Sequence, residues 1–256
     1  QDKADRLKEF GAEISTSIKE VVTNSDVVIT MLTDDAAVEK VMSNDEFITN
    51  IKENATVIDM SSVSPVITKK YADILKEKKI NYLDAPVSGG TIGAEDASLA
   101  IMVGGDEKTF KECYELLNIL GNPTLVGPVT SGQISKLANQ IIVGVTIGAV
   151  AEAVTLCEKS GTNPSKMIEA LSGGWADSKI LQTHGKRMIN KDFSPKGKTT
   201  TQLKDMTNII NTGKAVETYL PISSLIKEMY KDLVTDGHGN TDHSSLYNAI
   251  KKINKK

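Results

Sequence analysis

The sequence predicts an open α/β sheet over residues 1–130, followed by an all-helical half over residues 131–256. Three observations carry this. Up to residue 130, short apolar runs alternate with helical stretches, the arrangement of strands joined by crossover helices in a parallel sheet. From Gly132 onward the strand signals stop. Between the two halves, 131–160 (SGQISKLANQIIVGVTIGAVAEAVTLCEKS) runs without proline to Gly161, a natural residue just past a helix end. As one helix this stretch spans roughly 40 Å, about the width of a domain.

The elements follow in order. Residues 27–32 (VVITML), 56–60 (TVIDM) and 80–84 (INYLD) read as strands, the first as a continuous β-rich run covered on both faces. Ser64 and Pro65 suit the N-cap and first position of a helix reaching Lys78. Residues 100–103 and 124–126 add two short strands around a helix over 107–120. A loop of Gly, Pro and Ser near 127–132 marks the boundary. Beyond the long helix, Asn163-Pro164 starts a helix through Leu171, which Gly173-Gly174 ends. Residues 199–211, 221–233 and 245–253 carry helical periodicity.

From Ile141 to Cys157 the long helix is apolar on nearly every face, which predicts burial all round. It holds Thr146 and Glu152 and falls short of the roughly 20 apolar residues of a membrane span, so no membrane is expected. Composition narrows the class further. The chain of 256 residues carries a formal net charge of −3 with mixed signs, which does not suit a nucleic-acid surface. The basic tail 251–256 reads as a frayed helix end. Cys113 and Cys157 stand far apart, which points to a reducing, cytoplasmic setting without disulfides or zinc. His184, His238 and His243 are scattered and form no metal-ligand spacing.

Candidate chemistry sits at strand ends and at the start of the long helix. DAPVSGG (84–90) follows a strand, where ligands of open α/β sheets bind. Ser88 offers a hydroxyl there, and Gly89-Gly90 let backbone N–H groups face a small anion. Leu32-Thr33-Asp34 and Ser61-Ser62 end two other strands; they suit a nucleotide crevice or ordinary helix caps. Lys136, Asn139 and Gln140 share one side of the long helix. A cation that near a helix N-terminus is disfavoured, which lowers the lysine pKa and suits a proton donor. An ordinary solvated lysine has the same spacing. No G-x-G-x-x-G follows a strand.

Taken in order, SDVVITML, VIDMSSVSP, LDAPVSGG, IMVGG, SGQISKLANQ and QLKDM resemble the β-hydroxyacid dehydrogenase family, over nearly the whole chain. KLANQ, the Gly173-Gly174 turn and DGHGNTDHSS (236–245) look like its 2-hydroxy-3-oxopropionate (tartronate semialdehyde) reductase branch. The resemblance implies an NAD- or NADP-binding domain of Rossmann type over 1–130 and an all-helical substrate and dimerisation domain over 131–256. It implies reduction of 2-hydroxy-3-oxopropionate to glycerate, with a 3-hydroxyisobutyrate-type dehydrogenase as the alternative. A binding or dimerisation module without catalysis is the rival from another class. By the same resemblance Lys136 is the general acid, and Ser88, Gly89 and Gly90 hold the substrate carboxylate. Asn139 and Gln140 match the substrate-side KxxNN segment, with Gln140 replacing its second asparagine. Leu32, Thr33, Ser62 and Lys204 match cofactor contacts. The implied partners are a small hydroxy or oxo acid and a second copy of the chain through the helical domain.

Two departures from the family pattern are visible. Members begin with a strand, a glycine-rich turn, a helix and a second strand, and Gln1 is expected to stand beyond these. On that expectation the chain as given exposes an apolar sheet edge, is poorly soluble and binds neither NADH nor NADPH. Pro195-Lys196-Gly197-Lys198 replaces the family's Pro-Gly-Phe, which removes an aromatic and adds two positive charges that favour a phosphate-bearing cofactor or substrate.

Overall fold

A computed structural model describes residues 2–254. Gln1, and Lys255 and Lys256 of the basic tail, lie outside the described residues. The chain forms two compact units. The first comprises Gln1–Ser88 with Ala97–Gln133, and the second Gly89–Asp96 with Ile134–Lys256. The division thus falls three residues beyond the expected boundary and assigns a short inner segment to the helical unit.

The first unit is built on a six-stranded sheet: β1 (Val27–Thr30), β2 (Thr56–Asp59), β3 (Asn81–Asp84), β4 (Val87–Ser88), β5 (Leu99–Gly104) and β6 (Gly121–Gly127). The strands β1, β2 and β3 are parallel neighbours, in register Val28–Val57–Tyr82 and Ile29–Ile58–Leu83. The expected parallel sheet is present with one antiparallel element: β5 runs antiparallel to β3 and β4, while β6 is parallel to β5. The reason is the path after Asp84. The chain continues along the same ladder, Asp84 opposite Gly104, Val87 opposite Ile101 and Ser88 opposite Ala100, and then doubles back. Doubling back gives an antiparallel pair without a crossover helix.

Alternate residues of the parallel strands feed two cores. Val28, Val57 and Tyr82 pack with Val38, Met42, Phe47, Tyr71 and Leu75 from flanking helices. Ile58 and Leu83 pack with Leu99, Ile101 and Val103 and with Cys113 and Leu117 of the helix Glu107–Leu120. Each fully buried leucine of these cores contributes about 1.5–3 kcal/mol by leaving water. Contrary to the sequence expectation, β1 is not covered on both faces. Ile29 is 41% exposed. The expected sheet edge is present: among the described residues β1 pairs with β2 alone. The helix Pro65–Glu77 starts as expected, with Ser64 Oγ accepting from the Ile67 N–H and Pro65 in the first turn.

The second unit is helical. The helix Ser131–Lys159 is long and apolar enough to cross a membrane by length and composition. One side of it is the core of this unit: Ile147, Val150, Ala151 and Val154 are buried against Ile168, Met206, Ile209, Tyr230 and Leu246. The expectation of burial on every face is overturned. Ile142 is 66% and Leu156 68% exposed; with the exposed Ala138, Ala149 and Glu152 and the half-buried Val145, which also packs on the core, they form a stripe spaced alternately by four and three positions. The sequence shows an apolar surface but not which part of it finds neighbours. Gly161 ends the helix at φ +73, with Thr162 N–H bonded to Cys157 O. The unit also holds the helices Pro164–Leu171, Thr199–Ala215, Pro221–Leu233 and Leu246–Ile253, with shorter helical segments between them. Lys251 and Lys252 are not frayed. They lie in the last helix, paired with Glu158 and Asp236 at 2.7 Å each. Both cysteines are free thiols.

Candidate active site

The strand ends of the first unit are fastened to one another by buried polar groups. Thr30 Oγ1 donates to Asp59 at 2.9 Å, and Leu32 N–H donates to Ser61 Oγ at 2.9 Å. Ser64 N–H reaches Asp35 at 2.9 Å. Gln133 joins the loop after β2 to the start of the long helix: its amide accepts from Val63 N–H and donates to Ser61 O at 2.8 Å. Asp84 accepts from the backbone N–H groups of Thr130 and Gln133 at 2.8 Å each. Burial pushes the Asp84 carboxyl up to about 6, against those hydrogen bonds, with the nearby Asp59 charge acting in the same direction as burial. Burial likewise raises Asp59.

Of the cofactor candidates in this unit, Leu32 is half-buried with its N–H engaged by Ser61, Thr33 is exposed and Ser62 is half-buried. The capping alternative holds beside them, since Asp34 caps the helix Asp35–Met42 through Ala37 N–H. Ser88 is half-buried at the end of β4. Gly89 and Gly90 follow it at φ +148 and +65, conformations that side-chain-bearing residues rarely adopt. Among the described residues, no atom beyond its chain neighbours and its own helix backbone lies within 4 Å of the place where a Gly90 Cβ would stand.

In the second unit, Lys136, Asn139, Gln140 and Lys204 fall into one polar cluster. Gln140 is buried and donates to Asp205 Oδ2 at 2.6 Å and to Gln202 Oε1 at 3.3 Å, while accepting from Asn139 Nδ2 at 2.8 Å. Lys204 Nζ lies 3.3 Å from Asp205 Oδ1. The Lys136 ammonium is held below the ordinary lysine pKa, first by burial; Asp205 opposes that shift and Lys204 adds to it. The direction expected from the helix terminus is present, but its cause is desolvation and a neighbouring cation.

Sequence reasoning missed Gln202, Asp205 and His243. Gln202 and Asp205 stand at i and i+3 in QLKDM, one helix face, a signal overlooked in favour of Lys204 between them. His243 Nδ1 lies 3.3 Å from Gln202 Oε1, and its ring meets His184 edge-on at 4.7 Å. These two histidines are scattered in sequence; folding brings them together beside Asp242.

Two family models match the chain. The NAD binding domain of 6-phosphogluconate dehydrogenase matches residues 1–156, and the NAD-binding domain of NADP-dependent 3-hydroxyisobutyrate dehydrogenase matches residues 130–250. The 2-hydroxy-3-oxopropionate reductase of Escherichia coli (strain K12) is 40% identical over 249 residues, 96% of this chain and 85% of that one. A probable 3-hydroxyisobutyrate dehydrogenase-like protein of Arabidopsis thaliana is 30% identical over 98% of this chain and 76% of its own. Among solved structures, 3-hydroxyisobutyrate dehydrogenase of Mycobacterium tuberculosis aligns with a TM-score of 0.84 at 27% identity, over 92% of this chain and 83% of that one. With NAD-binding models covering both its units and reductase and dehydrogenase relatives along nearly all its length, this chain belongs to the β-hydroxyacid dehydrogenase family of NAD(P)-dependent oxidoreductases.

Proposed function

We propose that the protein reduces 2-hydroxy-3-oxopropionate to glycerate, with Lys136 as the proton donor. The observation that carries this reading is a half-buried lysine, set among the fixed polar side chains of Gln140 and Asp205, whose ammonium is disfavoured first by loss of water. A general acid is most effective when its pKa is drawn toward the working pH. The carboxyl ends of the parallel strands β1 and β2, with Leu32, Thr33 and Ser62, fit a nicotinamide dinucleotide, because ligands of open α/β sheets bind there. By the family resemblance Lys204 is a further cofactor contact. A nicotinamide dinucleotide held there would supply the hydride for the aldehyde carbon. Lys136 then gives its proton to the carbonyl oxygen, so that an alcohol rather than an alkoxide forms, and the neutral amine is left in a desolvated setting that tolerates it. Ser88, Gly89 and Gly90 hold the substrate carboxylate, the hydroxyl and backbone N–H groups replacing its water. The higher identity to the Escherichia coli reductase than to the 3-hydroxyisobutyrate dehydrogenase-like relative supports the first substrate over the second.

Lys136→Ala is expected to lower kcat by about 10²–10⁴-fold, the range of a lost general acid, with cofactor affinity unchanged. Steady-state turnover of 2-hydroxy-3-oxopropionate and of 3-hydroxyisobutyrate, with both NAD(H) and NADP(H), checks residue and substrate together. Near-normal turnover by the variant removes Lys136 from the mechanism, and preferred turnover of 3-hydroxyisobutyrate replaces the substrate. We further infer that the exposed stripe of the long helix pairs with a second copy of the chain. Its alternating four-and-three spacing is that of a helix–helix seam, and Ala138 and Ala149 leave room for a partner's side chains.

A further inference from the structure

We propose that His243 is a positioning residue for the Lys136 site: its Nδ1–H fixes the Gln202 amide, Gln202 fixes Gln140, and Gln140 fixes Asp205. The inference rests on the reading of Lys136 as proton donor, and every group in it lies in the helical unit.

The direction of each bond follows from chemistry. Gln140 reaches Asp205 at 2.6 Å, and a carboxylate oxygen accepts, so the atom of Gln140 facing it is the nitrogen. The same nitrogen faces Gln202 at 3.3 Å, which must therefore present its oxygen. His243 Nδ1 lies 3.3 Å from that oxygen, so Nδ1 must carry the proton. Gln202 is 2% exposed, and its own nitrogen has no hydrogen-bond partner among the described residues. Nothing on the nitrogen side holds the amide; only the donors converging on Oε1 orient it. Without His243 the amide is free to turn over and present N–H groups to the N–H groups of Gln140. Gln140 then loses an acceptor beside Asp205, the carboxylate whose charge opposes the loss of the Lys136 proton.

The histidine is itself firmly held. Its N–H donates to Gly197 O at 2.8 Å and its carbonyl accepts from Tyr230 Oη at 3.1 Å. A Cβ on Gly197 would stand 3.3–3.5 Å from three atoms of the ring, so glycine leaves the space the imidazole fills. Next to it Asp242, fully buried, accepts from the backbone N–H groups of Lys196, Gly197 and Ser244 at 3.0 Å each and from Ser244 Oγ at 2.6 Å. His184, Asp242 and His243 bring possible metal ligands within 4.8 Å of one another. However, those four hydrogen bonds occupy both carboxylate oxygens, and Arg187 Nε sits 3.7 Å from one of them. With the carboxylate saturated and a fixed cation beside it, the cluster is a clamp for the His243 loop and not a cation cage. Burial, with His184 beside it, holds His243 down to about 4, so it stays neutral near pH 7.

Three variants of the full chain test the proposal. His243→Phe keeps the ring without a donor, His243→Asn puts an N–H near the place of Nδ1, and His243→Gln puts one near the place of Nε2. His243→Phe and His243→Gln should each lower kcat about 3- to 10-fold, the equivalent of one neutral hydrogen bond, with KM for both substrates within about twofold. His243→Asn should recover most of that loss. The ¹⁵N spectrum of the wild-type imidazole should show Nδ1 protonated, the minority tautomer of free histidine. An Nε2–H tautomer, or a wild-type kcat in His243→Phe, overturns the proposal. So does equal loss in the Asn and Phe variants, which would mark a packing role. Should His243→Phe fail to fold, the Asn-against-Gln comparison and the tautomer still decide. Lys136→Ala measured alongside separates the two readings. If it abolishes turnover while His243→Phe keeps the wild-type kcat, only the positioning role fails; if it leaves turnover intact, the proton-donor reading fails and the positioning role falls with it.

Discussion

Lys136 and Asp84 show opposite uses of burial. In both, leaving water disfavours the charged form, so the lysine is drawn down and the carboxyl is pushed up to about 6. For Asp84 this has a consequence for stability. A carboxyl whose folded pKa lies above its unfolded value of about 3.9 binds protons more tightly in the native state, so it stabilises at low pH. That contribution is present below about pH 4, falls as pH rises and is gone above about 6, with a total of about 3 kcal/mol. Stability of the first unit should therefore decline between pH 4 and 6.5 as measured by urea unfolding. In Asp84→Asn the decline should shrink, even though the variant is less stable throughout for want of one acceptor. An unchanged slope in the variant would assign the pH dependence to other groups, Asp59 first.

The element that depends most on one residue is the start of the long helix. Gly132 stands against the strand ends of the first unit, where an added Cβ would come 2.4 Å from Met102 O and 2.5 Å from Asp84 O. Both are backbone atoms of strands and cannot swing aside. Gly132→Ala must push the helix start away from β3 and β5, lengthening the Asp84 to Gln133 bond at 2.8 Å. A destabilisation of about 2–3 kcal/mol is expected from overpacking of this kind. Gly90→Ala, with open space around it but a positive φ, should cost about 1 kcal/mol by backbone strain alone. Thermal unfolding of the two variants side by side checks the order; Gly132→Ala as mild as Gly90→Ala would contradict the close approach.

At the scale of the whole molecule, the exposed stripe on the helix Ser131–Lys159 is the feature that a lone chain leaves unexplained. Ile142 and Leu156 lie at the same side of a helix whose opposite side is the unit's core. A charge at both positions should abolish pairing with a second copy and leave the fold intact, because neither side chain is buried. The Ile142→Lys, Leu156→Lys double variant is expected to sediment as a monomer with an unchanged far-ultraviolet spectrum, while the parent sediments as a larger species. A parent that is already monomeric at micromolar concentration would dismiss the seam.

The sequence by itself determined the class of each half and the place of most elements. The helices Glu107–Leu120, Pro164–Leu171 and Pro221–Leu233 have the expected bounds, because apolar spacing, Asx caps and proline at the first turn are local signals. It also marked Lys136, Asn139, Gln140 and Lys204, through motif order in a shared family. Tertiary structure decided what no local pattern contains. The reversal at β5 depends on where the chain turns after Ser88, and the exposure of Ile29 and of one helix face depends on which neighbours arrive. The Gln140–Gln202–His243 chain joins residues 140, 202 and 243, whose meeting is set by how three helical segments pack. Even the lysine's lowered pKa, right in direction from the helix terminus, owes its size to burial, and burial belongs to the packed molecule rather than to the string of residues.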